Sequence, residues 1–281
     1  MRQLRLLSLG AGVQSTTLYL LAARGELPPL DAAIFADTQY EPEKVYGHLD
    51  WLITEGARLG GAPILRVTKG NLRADTLQHQ VAGGRGSGAA KRFASMPFFI
   101  EGEVSNTTSW GMVRRQCTRE YKLEPIRKQV RRLAGLKPGE VVGDKVHVEQ
   151  WVGISADEIG RMRQSRDYWI TLRYPLVLDL KPAWNRNDCQ RWLKREYPDH
   201  PVPRSACIAC PFHSNAEWRM IRDCFPAEWA DAVAFDRDIR VMAKMRGRAY
   251  LHAARVPLDQ APIDDDDPSQ GTLFSCGVCD T

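Results

Sequence analysis

The chain opens with two apolar strand runs separated by a helical stretch, and this alternation restricts the fold more than any other feature. Leu4–Ser8 is a short apolar run that ends in Gly10-Ala11-Gly12-Val13-Gln14-Ser15, and Thr16–Ala23 reads as a helix. Leu30–Phe35 is a second apolar run followed by Ala36-Asp37-Thr38. Glu43–Leu59 places Val45, Leu49 and Leu52 at helical spacing, and Pro63–Val67 is a third strand. The order strand, loop, helix, strand, helix, strand predicts an α/β fold, a doubly wound parallel sheet of about five strands covered by helices. Glycines in the first loop let the backbone approach an anion closely. The helix start behind it offers N–H groups and a positive dipole end. Ser15, Thr16 and Thr17 add hydroxyls. No Gly-Lys-Ser/Thr is present, so the loop is not of the Walker type.

Further along, the pattern changes. Residues 69–113 show no clear helix or strand and contain the glycine-rich, basic Gly83-Gly84-Arg85-Gly86-Ser87-Gly88. A basic helix near Arg119–Ala134, a strand at Val146–Ile154 and helices at Asn187–Glu196 and Ala216–Met245 follow. The expected organisation is a nucleotide-binding α/β domain over 1–180 with a basic insert at 69–113, a helical region over 181–256 carrying a CxxC pair, and a flexible tail over 257–281. That tail carries Asp264–Asp267 and ends in Cys276-Gly-Val-Cys279.

Of the 281 residues, 43% are hydrophobic and 26% charged, which argues against wholesale disorder. No apolar run approaches the ~18–20 residues of a membrane span, so no membrane partner is expected. The start of the chain reads as a buried strand rather than a signal peptide, which points to the cytoplasm. Seven cysteines in that setting suggest ligands or redox groups rather than disulfides. The net charge is +5, yet Lys69 to Arg132 alone holds 13 Lys or Arg against 5 Asp or Glu. A concentrated positive charge suits an anionic ligand, either a nucleotide or a nucleic acid. Arg114, Arg115 and Lys122 are candidates for the small anion; Lys128, Arg131 and Arg132 serve a nucleic-acid backbone or simply solubility. Cys189 and Cys224 read as small buried side chains. Most tryptophans, Trp218 and Trp229 among them, read as core, with Trp110 as a candidate base-stacking platform.

Four segments together resemble the phosphoadenosine phosphosulfate (PAPS) reductase-like branch of the adenine nucleotide α-hydrolase-like superfamily. Gly10–Ser15 resembles its pyrophosphatase (PP) loop, Ser-Gly-Gly-x-Asp-Ser, with Gln14 at the Asp position. Asp37-Thr38-Gln39-Tyr40-Glu41-Pro42 resembles the turn that lies by the adenosine. Gly153-Ile-Ser-Ala-Asp157-Glu158 with Arg161 resembles Gly-x-Arg-x-x-Glu-Ser-x-x-Arg. Cys117-Thr-Arg-Glu-Tyr-Lys122-Leu-Glu-Pro125 resembles Cys-Cys-x-x-x-Lys-x-x-Pro. The resemblance covers roughly residues 4 to 215. It implies nucleotide binding by Ser8, Gly10, Ala11, Gly12, Gln14, Ser15, Thr16, Asp37, Thr38, Arg114, Gly153, Asp157, Glu158 and Arg161.

For the cysteines, the resemblance implies a [4Fe–4S] cluster on Cys117, Cys207 and Cys210, with an open iron or a tail cysteine in fourth place. The alternative is a structural zinc completed by His213. A C-terminal Cys-Gly is the nucleophile of sulfonucleotide reductases, which makes Cys276 and Cys279, with Lys122 and Arg115, the catalytic candidates. The implied activity is sulfur transfer or reduction on ATP or an adenylyl sulfate-type nucleotide, with magnesium as an accompanying ion and a thiol or ferredoxin-type reductant. The first alternative is ATP-dependent thiolation of tRNA or DNA. The second is a non-catalytic nucleotide- or nucleic-acid-binding protein with zinc.

Overall fold

The computed structural model describes residues 2–78, 96–104, 107–143, 145–242 and 247–265, without side chains for 103, 104 and 107–110. In chain order its elements are β1 (Arg2–Leu9), α1 (Val13–Ala23), β2 (Ala32–Asp37), α2 (Glu43–Arg58), β3 (Ile64–Thr68), α3 (Leu72–Leu77), β4 (Phe99–Val104) and β5 (Thr107–Met112). A π-helical stretch, Thr118–Leu123, leads into α4 (Glu124–Leu133), then β6 (Val146–Val152), a 3-10 turn (Ala156–Arg161), β7 (Ile170–Arg173) and α5 (Pro175–Leu178). The last elements are α6 (Arg186–Glu196), α7 (Asn215–Cys224), α8 (Pro226–Arg240) and β8 (Arg248–Tyr250). The chain forms two units, one of residues 1–69 and 121–205, the other of 70–120 and 206–281.

The first unit is the α/β fold. Its five strands are all parallel, in the order β3-β2-β1-β6-β7. Alternation along the central strands sends side chains to both faces. Leu7, Leu9, Ala33, Phe35 and Trp151 pack with buried residues of α1, α2 and α6. Leu4, Leu6, Ala32, Ile34, Val146 and Val148 pack with Ile126 and Val130 of α4. A sheet buried on both faces needs near-continuous apolar strands, which explains runs such as AAIFAD in β2. The strand order reverses at β1: its first crossover leads to β2 on one side, while β6 pairs on the other. This is the switch point at which open α/β sheets leave a crevice beyond their carboxyl ends.

The second unit carries a three-stranded antiparallel sheet, β5-β4-β8, with α3, α7 and α8. Its presence corrects the expectation that 69–113 lacks regular structure, since α3, β4 and β5 all lie there; 79–95, including the glycine-rich run, is outside the described residues. The expected helix over 216–245 is two helices, because Pro226 cannot continue α7 and instead starts α8. Buried Asp236 accepts hydrogen bonds from the Leu251 and Leu258 N–H groups and pairs with Arg240, fixing the chain after β8 to α8. Trp218 is fully buried and meets the half-buried Trp229 edge-on. Among the described residues, no helix is long and apolar enough to cross a membrane.

Candidate functional site

The crevice is built from the ends of β1 and β6. Ser8 pairs with Val152 across these strands, so the loops that follow, 10–15 and 153–158, emerge side by side. The contact is backbone to backbone. A Cβ on Gly153 would lie 2.9 Å from Ser15 N and 3.2 Å from Gln14 C, so only glycine allows this approach. In the first loop, Ala11 takes the left-handed conformation at φ 54°, an uncommon state for a residue with a Cβ. Gln39, in the loop after β2, does the same at φ 54°. Strained residues of this kind cluster where function over-determines the backbone.

Ser15 organises the loop from within. Its Oγ accepts hydrogen bonds from Gly10 N (3.2 Å) and Gly12 N (3.4 Å) and donates to Gly12 O (3.2 Å). Ser205 packs on the loop's other side, where a Gly12 Cβ would come within 3.3 Å of the Ser205 Cβ. The N–H groups of Val13, Gln14 and Ser15 precede the first helical bond, from Thr16 N to Gly12 O, so this end of α1 carries partial positive charge. Ser8 sits below and accepts from Gln150 Nε2 at 2.7 Å.

Gln14 occupies the position where the resemblance has Asp. Its Nε2 donates to Ser155 Oγ (3.4 Å) and Glu158 Oε2 (3.3 Å), and its Oε1 accepts from Arg186 Nη1 (3.0 Å). Glu158 also pairs with Arg161. Asp157 accepts from Arg186 N at 3.0 Å. Burial opposes ionisation of Asp157, but hydrogen bonds from Ser155 and from backbone N–H groups outweigh it and hold its pKa below the ordinary value. Arg186 thus ties α6 to both switch-point loops. No sequence motif marked it.

The loop after β2 adds a second polar wall. Asp37 is buried and accepts from Gln39 N (2.7 Å), Tyr46 Oη (2.9 Å) and Arg66 Nε (2.9 Å). The Arg66 guanidinium lies 4.8 Å from the Tyr46 ring centroid. Burial, reinforced by Asp37, pushes the Tyr46 phenol up to about 12. These residues, with Gln39, Val67 and Thr68, line a cavity of about 500 Å³. Thr38 Oγ1 donates to Glu41 Oε1 at 3.0 Å, and Lys122 Nζ lies 3.3 Å from the same oxygen. Arg66 and Tyr46 also escaped sequence reasoning; an arginine one strand over from Asp37 gives no local signal.

The structure therefore places Ser8, Gly10, Ala11, Gly12, Gln14, Ser15, Thr16, Asp37, Thr38, Lys122, Gly153, Asp157, Glu158 and Arg161 in one unit. Arg114, Arg115, Cys117, Cys207 and Cys210 belong to the other. There, Arg114 and Arg115 are exposed, and the Arg115 guanidinium lies 5.3 Å from the Phe212 ring centroid. Cys207 is buried, Cys117 and Cys210 are half-buried, and none of the three is in a disulfide. Cys210 N donates to Cys207 O at 3.1 Å, which closes the CxxC turn. His213 Nε2 lies 3.0 Å from Cys207 O and 3.2 Å from Ile208 O. Both partners are acceptors, so this nitrogen carries the proton.

Among the described residues, no three His, Cys, Asp or Glu side chains stand together as a metal-holding group. The case for a metal or cluster rests on donor chemistry: three soft thiol sulfurs in one unit, two of them on a single turn.

The other candidates fall into place by burial. Cys189 is fully buried, and burial pushes its thiol up to about 12. Arg131 donates to the carbonyls of Lys137 and Glu140, which shapes the end of α4. Lys128 and Arg132 are exposed. Trp110 lies opposite Glu101 in the β4–β5 ladder, and its ring is outside the described side chains. Cys276 and Cys279 lie outside the described residues. In comparisons with known proteins, no family model matches the sequence, and no curated protein does.

Proposed function

We propose that this chain is a PP-loop enzyme of the PAPS reductase-like branch that binds an adenine nucleotide or its sulfated form and carries out sulfur transfer or reduction. The observation that carries the reading is the backbone contact of Gly153 with the first turn of α1, directly at the switch point of the sheet. It leaves the loop 10–15 and the dipole end of α1 as the anion subsite. The cavity beside Asp37, Tyr46 and Arg66 is of a size that takes a nucleoside. Gln14 is neutral and held by Arg186 and Glu158, so the loop has no carboxylate of its own for a magnesium ion. That favours a sulfonucleotide over ATP-driven thiolation of tRNA or DNA.

In this reading a tail thiolate, from Cys276 or Cys279, attacks the sulfur of the sulfonucleotide. A sulfur–sulfur bond forms, the sulfur–oxygen bond to phosphate breaks, and the nucleotide leaves. The second tail cysteine displaces sulfite and forms a disulfide, which a thiol or ferredoxin-type reductant returns to two thiols. Cys117, Cys207 and Cys210, three soft thiol donors of one unit, would hold a [4Fe–4S] cluster, which would supply positive electrostatic potential where it is bound. His213 holds the Cys207 turn through its Nε2 proton.

The test is calorimetric titration of anaerobically purified protein with adenylyl sulfate, PAPS and ATP, alongside iron, acid-labile sulfide and zinc analysis. Micromolar binding of a sulfonucleotide, with about four iron and four sulfide per chain, is expected. Failure of all three nucleotides to bind at millimolar concentration overturns the nucleotide reading. One zinc without iron overturns the cluster and moves the role to binding alone.

A further inference from the structure

Behind the loop lies a cluster of titratable groups that the proposed chemistry does not use. Thr16, in the first turn of α1, is fully buried, and its Oγ1 lies 2.9 Å from His48 Nε2. His48, on the inner face of α2, is also buried, and its Nδ1 lies 2.9 Å from Nε2 of His200, in the segment after α6. His200 is half-buried and stacks on Trp51 with ring centroids 3.7 Å apart. The three side chains form an unbroken line from the protein surface to the loop helix.

We infer that His200 and His48 form a proton relay that sets the direction of the Thr16 hydroxyl and, through it, the anion affinity of the loop. The inference rests on the loop 10–15 being an anion subsite. Each contact holds one proton, so the line has two self-consistent directions. In the outward direction, Thr16 donates to His48, His48 Nδ1–H donates to His200, and the His200 Nδ1–H meets water. All the polar groups of the line are then satisfied. In the inward direction, His200 Nε2–H donates to His48 Nδ1, and His48 Nε2–H donates to Thr16.

The Thr16 proton then needs another acceptor, and the carbonyl four residues back is Gly12 O. The neighbouring Thr17 makes just this bond, to Val13 O at 2.8 Å. Gly12 O already accepts from Thr16 N (2.9 Å) and from Ser15 Oγ (3.2 Å). A third donor displaces the weaker one, so the Ser15 hydroxyl turns its proton toward an incoming anion.

Protonation of His200 selects the inward direction, because an imidazolium must donate from both nitrogens. The two rings face each other. Burial disfavours the charged forms of both, and the charge of His200 lowers the His48 pKa further; apart from that pair, no carboxylate or cation among the described residues of α1, α2 or the segment after α6 acts on either ring. Tyr197, the other titratable group here, meets Trp51 edge-on. The line therefore responds to solvent pH through His200 alone until strongly acidic conditions.

Long-range proton–nitrogen NMR of the full chain reads both tautomers from about pH 7.5 to 5.0. A parallel titration uses inorganic sulfate, whose charge is constant over that range. His48 is expected to change from the Nδ1–H to the Nε2–H form as His200 titrates, and sulfate to bind about fivefold tighter at the lower pH, the effect of one hydrogen bond. His200→Gln is expected to remove the pH dependence of sulfate binding while circular dichroism confirms its fold. A His48 tautomer that stays fixed while His200 titrates overturns the relay. So does an equal pH dependence in His200→Gln. If the tautomer flips but sulfate binds at neither pH, the anion reading of the loop fails and the coupling with it.

Discussion

Replacing Gly153 by alanine tests the switch-point geometry directly. The added Cβ would lie 2.9 Å from Ser15 N and 3.2 Å from both Gln14 C and Ser15 Cα. All three are backbone atoms, so no side-chain rotation relieves the overlap. The end of β6 and the start of α1 must part by about half an ångström. Overpacking of this kind costs about 1–3 kcal/mol. At 2–4 °C per kcal/mol for a domain of this size, a cost near 2 kcal/mol lowers the melting temperature by about 4–8 °C.

The same displacement moves the Ser15 N–H away from a bound phosphate or sulfate. Loss of a hydrogen bond to a charged group is worth about 1.5–3 kcal/mol, so nucleotide affinity falls about tenfold to a hundredfold. The control is Gly160→Ala, at an exposed glycine with nothing within 4 Å of the new Cβ, where stability stays within about 0.5 kcal/mol. Urea unfolding and calorimetry measure the two effects separately. Equal stability of the two variants refutes the packing argument. A destabilised Gly153→Ala with unchanged nucleotide affinity refutes the placement of the anion at Ser15.

Three further outcomes follow from the same structure. Burial lowers the pKa of His48 to about 3, and that of His200 falls below its ordinary value. The unfolded chain therefore takes up these protons first, and stability declines as pH falls below about 6.5. His48 alone accounts for about 1.4 kcal/mol per pH unit down to about pH 3, so a flat urea-unfolding profile between pH 7 and 5 contradicts this. Gln39→Gly relieves a left-handed residue and raises stability by up to about 1 kcal/mol by thermal denaturation; a loss of stability would show that the Gln39 side chain matters more than its backbone strain. Cys189 stays unmodified by iodoacetamide at pH 8 in the native protein and is labelled once the chain is unfolded in urea, as mass spectrometry of digested peptides would show; native labelling of Cys189 would contradict its burial.

Much of the α/β unit was legible because its signals are local. The apolar runs of β1, β2 and β3 and the inner face of α2 carry their periods within ten or so residues. The break at Pro226 was not read, because the helical periodicity on either side of it runs on as if in one helix. The hairpin of β4 and β5 was not legible: its strands, FIEGEV and TTSWGM, contain glycines and do not alternate cleanly. β4 gains its other partner in β8, about 150 residues on. His48 gave a faint signal that was missed, a histidine among Val45, Leu49 and Leu52 on an apolar face.

The sequence by itself determined the first strands and helices of the α/β unit, where the glycine loop falls, and that two cysteines share one turn. Each of these depends on residues close together in the chain, where backbone preference and hydrophobic period act. Only the tertiary structure decided that β6 pairs with β1, and so brings Gly153 against Ser15 across some 140 residues. It alone set Arg186 on Gln14, Arg66 on Asp37 and His200 on His48. Those contacts follow from strand order and helix packing, which bury apolar surface over the whole unit, and no short stretch of sequence encodes them.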